Sequence, residues 1–289
     1  SNKMAAPRRW KKILYEDQSV DDNYVDSSFL DELKKNLCTR KYDYWTVVRA
    51  SGVVTQQISS VCIFVIVFIY MDNKILSAEN LCISVLTLSV LGYIINKMLV
   101  RRSLSFSKKS SRTILDDLKT LFIFTGFSYG LSPVLVSLTE TISTDTIYAM
   151  TTIMLLANLL FHDYGAREAA IVSQSLSLNA ALFASVCLAS RLHTPWHAFA
   201  TVTFAVQIFA VWPVFKRNLM HSIPASQPVL TALLGMFTFL ALLTVSIPAA
   251  ILFGLVHLFI NFVCPAWLTS LQPYKNNIYG PWDEATIND

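Results

Sequence analysis

Apolar runs of roughly 16 to 22 residues recur along this chain between short polar segments. They predict eight membrane-spanning helices, over about 50–71, 78–99, 118–138, 146–161, 171–189, 197–215, 229–247 and 249–270. The last two meet at Ser246-Ile247-Pro248, where proline suits a tight joint between two spans. The fourth run, Thr146 to Phe161, is 16 residues, about 24 Å as a helix. That is short of the ~30 Å hydrocarbon core, so this span needs shelter from its neighbours. Thr144 and Asp145 precede it as an expected N-cap, and His162-Asp163-Tyr164-Gly165 follow it. Asn158 lies one turn before His162 on the same face.

Ahead of the first span, Phe29, Leu30, Leu33 and Leu37 recur at helical spacing behind Asp26-Ser27-Ser28. Lys34, Lys35, Arg40 and Lys41 share that helix or follow it, and Tyr42, Tyr44 and Trp45 come next. The pattern fits a helix lying on the membrane surface, or one that docks on a partner. The expected organisation is a cytosolic segment over 4–49, a transmembrane domain over 50–271 and a cytosolic tail over 272–289. The N-terminal stretch around Arg8, Arg9, Lys11 and Lys12 has no apolar core behind it, so no cleavable signal peptide is expected.

Composition agrees with this picture. Hydrophobic residues make up 54% and charged residues 15% of the 289 positions, against about 25% charged in a typical soluble domain. The fold class is therefore an all-α polytopic membrane bundle. With the N-terminus inside, 21 of the 23 Lys and Arg residues fall on the cytosolic side, and only Lys74 and Arg191 fall outside. Both termini are then cytosolic and the span count even. The five cysteines are scattered without metal-ligand spacing, which points to buried free thiols.

Polar and small residues within the spans narrow the chemistry. Span three carries Gly126 and Gly130 in a Gly-xxx-Gly arrangement beside Pro133. Span five carries Ser177, Ala181 and Ser185 at every fourth position. Such stripes suit close helix packing, since lipid offers helices no hydrophobic drive to associate; lining a pathway is the other reading. The first span places Arg49, Thr55, Gln56, Gln57, Ser59 and Ser60 in its cytosolic half. Polar groups there need partners, either a packing network or a lipid-headgroup or partner site.

No phosphate-cradling glycine loop, zinc-protease motif or nucleophile elbow occurs, and no soluble stretch is long enough for a nucleotide-binding domain. No metal or cofactor is expected. A soluble activated donor would have to be handled by another chain. His257 sits in an apolar span and fits a hydrogen-bonded core residue. His162-Asp163 admits three roles: capping and packing, binding of inositol or phosphate, and proton transfer.

Several stretches, spread in order over nearly the whole chain, carry a resemblance. They are Asp22-Asn23-Tyr24-Val25-Asp26, Arg40-Lys41-Tyr42-Asp43-Tyr44-Trp45, Ser143 to Met150, Asp163-Tyr164-Gly165, Ser185 to Leu192, and Gly280-Pro281-Trp282-Asp283-Glu284-Ala285. They resemble the PIG-C family, the C subunits of phosphatidylinositol N-acetylglucosaminyltransferase. The chain departs from the family pattern in the basic loop Lys97 to Lys119, and at His162, where the pattern has an aromatic.

The resemblance implies a multispanning subunit of the endoplasmic reticulum membrane, without catalytic residues of its own. Its complex moves N-acetylglucosamine from UDP-N-acetylglucosamine to phosphatidylinositol, the first step of glycosylphosphatidylinositol (GPI) anchor biosynthesis. The implied partners are the catalytic PIG-A with PIG-H, PIG-P, PIG-Q and PIG-Y, and membrane lipid. In that setting Asn158, His162, Asp163 and Tyr164, with Arg49 and Gln56, are expected to hold the inositol headgroup. Gly126, Gly130, Ser177, Ala181 and Ser185 are expected to pack helices. The competing class is a stand-alone lipid scramblase or small-solute transporter. Its marks, paired midplane charges or an internal repeat of broken helices, are not evident.

Overall fold

The long apolar runs fold as helices. The computed structural model describes residues 34–35, 42–103, 126, 129–130, 133–134, 142–164, 170–274 and 278–279. In it α1 spans Tyr44–Asp72, α2 Ala78–Ser103, α3 Thr144–Phe161 and α4 Ala170–Ala189. They are followed by α5 over Pro195–Ser222, α6 over Ser226–Val245 and α7 over Ile247–Tyr274. Six of these, α1, α2 over Ala78–Leu99, α3, α5, α6 and α7, are long and apolar enough to cross a membrane. The protein is a polytopic, all-α membrane bundle. Of the expected third span, only Gly126, Tyr129, Gly130, Pro133 and Val134 are described, and all five are helical. Tyr129 meets Trp196 and Phe199 of α5 edge-on, at 6.3 and 5.7 Å between ring centroids.

Two compact units divide the chain, Tyr44–Ala266 and the pair Ser1–Asp43 with Trp267–Asp289. In the smaller unit Lys34–Lys35 pairs antiparallel with Ile278–Tyr279, and the Tyr42 amide donates to Gln272 Oε1 at 3.3 Å. The surface helix expected around Phe29 to Leu37 is thus replaced at Lys34 and Lys35 by a two-residue strand. Bridging to another segment satisfies backbone groups that a helix would have bonded locally. The remainder of that expected helix lies outside the described residues.

Helix ends in the larger unit follow the capping chemistry of the sequence. Ser143, rather than the expected Thr144 or Asp145, caps α3, its hydroxyl accepting from the Thr146 amide. Ser143 has extended φ/ψ while Thr144 is already helical, which is the condition for an N-cap. Thr194 caps α5 ahead of Pro195. Ser246 closes α6 and opens α7 at once: its amide donates to the Leu242 carbonyl at 2.8 Å, and its own carbonyl accepts from Ala250 at 3.0 Å. One extended residue therefore separates the two spans.

Both long helices with an interior proline contain a π-turn just before it. In α5 the turn covers Gln207–Val211 ahead of Pro213, and in α7 it covers Phe259–Val263 ahead of Pro265. The amide preceding each proline, Trp212 or Cys264, bonds five residues back to Gln207 or Phe259. Proline lacks a donor and crowds the carbonyl four residues earlier, and the widened turn accommodates both effects.

The core lies between α1, α2, α4 and α5, around Phe64, Phe68, Met71, Leu81, Ala181, Phe204 and Phe209. Phe64 stacks on Phe204 and meets Phe209 edge-on. α3 buries one stripe, Ile147, Thr151, Leu155 and Asn158, and leaves Tyr148, Ile153, Leu156 and Leu160 exposed. Its shelter is therefore one-sided, through α4 and α1. Large exposed apolar side chains such as Ile83, Leu86, Leu91, Leu233, Phe237 and Leu252 form the faces a bilayer would solvate.

Candidate functional site

The polar stripe of α1 faces the other helices. Thr55, Gln56, Gln57, Ser59 and Ser60 are all buried. Ser59 and Ser60 donate to carbonyls of their own helix, those of Thr55 and Gln56. The other three reach across to three different neighbours. Asn261, in the π-turn of α7, donates from Nδ2 to Thr55 Oγ1 at 3.3 Å. Gln56 Nε2 donates to Thr231 Oγ1 of α6 at 2.7 Å, and Gln57 Nε2 donates to Asn158 Oδ1 of α3 at 2.9 Å.

Asn158 carries this network into α4. Its Nδ2 donates to the Ser177 carbonyl at 3.0 Å and to Ser177 Oγ at 2.9 Å, and Ser177 Oγ donates back to the Asn158 carbonyl at 2.9 Å. Asn158 is 2% exposed. Its amide thus binds three helices together, and its polar atoms point inward rather than to the mouth of the span. Ser177, Ala181 and Ser185 are buried along the same face of α4. A Cβ added to Gly126 or Gly130 meets nothing within 4 Å among the described residues. Among the described residues, close approaches fall on two glycines the sequence patterns did not single out. A Cβ on Gly52 would lie 2.8 Å from Thr231 Oγ1, and one on Gly235 would lie 2.7 Å from His257 Cε1.

The sequence-predicted residues after α3 gather at one end of the bundle, against the end of α5. Asp163 pairs with Arg217 at 3.6 Å. Asp163 is 14% exposed and Arg217 58%, so the pair stands at the rim. The His162 and Tyr164 rings meet edge-on at 5.1 Å, and Tyr164 Oη donates to the Leu159 carbonyl at 2.6 Å, capping α3. Burial pushes the Tyr164 phenol up to about 12, so it stays a neutral donor. His162 is pushed down to about 4, first by burial and then by the nearby Lys216 and Arg217 cations, with Asp163 opposing. It is therefore a neutral imidazole at physiological pH, poorly suited to donate a proton as imidazolium.

The other two candidates sit on a different seam. Gln56 bonds to α6 as described, and the Arg49 carbonyl accepts from Gln227 Nε2 at the start of α6, while the guanidinium of Arg49, an exposed residue, donates to the Trp45 carbonyl. At the opposite ends of these two helices the hydroxyls of Tyr70 and Thr244 are hydrogen-bonded. So α1 and α6 run parallel. Lys216 went unremarked in the sequence except as a cytosolic charge, yet it is 4% exposed beside His162. Its signal was a lysine placed ahead of the polar end of an otherwise apolar run. Asn261, the lone amide of its span, carried a similar signal.

Comparison with known proteins adds identity to this geometry. The family model described as "GPI2: Phosphatidylinositol N-acetylglucosaminyltransferase" matches residues 10–283. The chain is 50% identical over 281 residues to a mouse protein named as the C subunit of phosphatidylinositol N-acetylglucosaminyltransferase, covering 97% of this chain and 94% of that one. It is 43% identical over 282 residues to a putative C subunit of the same transferase from Dictyostelium discoideum, covering 96% and 80%. It is 35% identical over 280 residues to the GPI2 subunit of Schizosaccharomyces pombe, covering 96% and 86%. No solved structure matches the chain. With the match running through nearly every element described above, the chain belongs to the GPI2 family, the C subunits of phosphatidylinositol N-acetylglucosaminyltransferase.

Proposed function

We propose that this protein is a non-catalytic subunit of the complex that transfers N-acetylglucosamine from UDP-N-acetylglucosamine to phosphatidylinositol at the start of GPI-anchor biosynthesis. It scaffolds the complex and presents the acceptor lipid. It resides in the endoplasmic reticulum membrane with both termini cytosolic, beside the catalytic PIG-A and PIG-H, PIG-P, PIG-Q and PIG-Y. Family membership supports the complex. The distribution of 21 of 23 basic residues to one side supports the orientation.

The observation that carries lipid presentation is the polar cluster after α3, where Asp163 pairs with Arg217 beside His162 and Tyr164 at the rim of the bundle. A carboxylate at this level can accept hydrogen bonds from inositol hydroxyls, and the neutral imidazole can donate or accept one. Arg49, exposed at the start of α1, adds positive charge toward an anionic headgroup. Asn158 and Gln56 take the supporting part: they hold α1, α3, α4 and α6 in the register that sets the cluster's position. Ser177, Ala181 and Ser185 serve the same packing, and Gly126 and Gly130 offer a small-residue stripe for packing against another span.

The reading is tested with the reconstituted complex. Asp163→Ala is expected to raise the apparent KM for phosphatidylinositol severalfold while the KM for UDP-N-acetylglucosamine and the assembly stay unchanged. An unaltered acceptor KM in an intact complex rejects lipid presentation. Transferase activity from the isolated chain rejects the non-catalytic role.

A further inference from the structure

Lys216 is the one charged side chain among the buried polar residues described, and its Nζ has no hydrogen-bond partner among them. A buried ammonium without a counter-charge is among the most costly arrangements in a protein interior. Among the described residues, nothing neutralises it. His162 is neutral, Asp163 is paired with Arg217, and Arg217 brings a second positive charge. Among these four residues two cations face one carboxylate, which leaves one positive charge over. A phosphodiester carries one negative charge at neutral pH and offers the oxygen acceptors an ammonium needs.

Depth identifies the source of that phosphodiester. Lys216 lies six residues before Ser222, the end of α5, or about 9 Å along the helix axis. The 28-residue helix is about 42 Å long, which matches the ~40–45 Å of bilayer core plus headgroup layers. The Lys216 backbone therefore lies near the boundary between hydrocarbon core and headgroup layer, within a lysine side chain's reach of lipid phosphates. We propose that Lys216 binds the phosphodiester of a membrane lipid, with Arg217 and Asp163 at the mouth of the site and His162 as its neutral wall. The assignment rests on the lipid-presenting role above and deepens it: Lys216 takes the phosphate, and the Asp163 region takes the inositol ring.

The test uses the assembled complex with Lys216→Met and Lys216→Arg. Loss of one charge-assisted hydrogen bond is expected to raise the apparent KM for phosphatidylinositol about ten- to a hundredfold in K216M. K216R is expected to fall between K216M and wild type, and the KM for UDP-N-acetylglucosamine to stay the same. Lipid retained after incubation with vesicles of phosphatidylinositol or phosphatidylglycerol, counted by native mass spectrometry, separates the two halves of the site. K216M is expected to lose both lipids, because both carry the phosphodiester, whereas Asp163→Ala loses only the preference for inositol.

Wild type that retains both lipids equally, through Lys216, refutes the inositol contacts and leaves the phosphate site standing. Retention of both lipids at the wild-type level in K216M overturns the phosphate site alone. Displacement of the lipid by millimolar inorganic phosphate reassigns the site to soluble anions and overturns the lipid assignment. Failure of both K216M and K216R to assemble, with other subunits lost, makes Lys216 a ligand for a partner's carboxylate and also overturns it.

Discussion

Asn158 of α3 and Ser177 of α4 exchange three hydrogen bonds of 2.9 to 3.0 Å, one between their side chains and two in which each side chain donates to the other residue's carbonyl. With Gln57 of α1 donating to the same asparagine, one amide fixes the relative rotation of three helices. That rotation decides which residues after Phe161 face the end of α5, and so where Asp163 meets Arg217.

Asn158→Ala removes the shared partner of Gln57 and Ser177 and leaves Gln57 Nε2 buried. The expected loss is about 1–3 kcal/mol of stability, measured as a lowered unfolding midpoint in detergent. Ser177→Ala is expected to cost less, since the Asn158 side chain keeps the Ser177 carbonyl. If both variants unfold with wild-type midpoints, the network has no structural weight.

Gly235→Ala drives a methyl into the His257 ring, at 2.7 Å from Cε1. Overpacking of this kind is expected to destabilise by about 1–3 kcal/mol. Gly126→Ala, whose Cβ meets nothing within 4 Å among the described residues, is expected to leave the isolated chain unchanged or slightly more stable, because alanine favours the helix. Equal effects of the two substitutions would mean the α6–α7 contact is not as close as described.

The Asp163–Arg217 pair is a weak contributor to folding because Arg217 is more than half exposed. A double-mutant cycle with Asp163→Asn and Arg217→Gln is expected to give a coupling below about 1 kcal/mol in thermal unfolding. The same two variants are expected to differ clearly in acceptor KM. Large coupling with no kinetic effect would make the pair a structural clamp instead.

His162 provides a pH signature. Its folded-state value, about 4, lies below the ordinary 6.5, so the folded protein binds the proton less readily than the unfolded chain. The His162 contribution to stability is therefore complete above pH 6.5 and is lost as the pH falls through that value toward 4. His162→Phe, which installs an aromatic there, is expected to flatten the decline in unfolding midpoint between pH 7 and pH 5. A decline as steep as in the wild type places the titrating group elsewhere.

Much of this architecture could be read along the chain. Hydropathy sums over neighbouring positions, so the runs at 50–71, 78–99 and 146–161 already marked α1, α2 and α3. The Ser246 joint was likewise visible in a single local cue, a proline two residues on. The polar end of α3 was marked as a candidate because His162-Asp163 follows an apolar run directly.

What the sequence left open was how each helix is turned about its axis. Gln57 and Asn158 are 101 positions apart, and nothing local says whether an amide in a span meets another amide, a headgroup or lipid. The tertiary structure decided that Asn158 binds helices together, that Gly52 and Gly235 carry close contacts, and that Lys216 is buried. The physical reason is that burial and hydrogen bonding depend on what a neighbouring helix presents at the same depth. That pairing is set by packing over the whole bundle, whereas the tendency to span a membrane is set by about twenty consecutive residues.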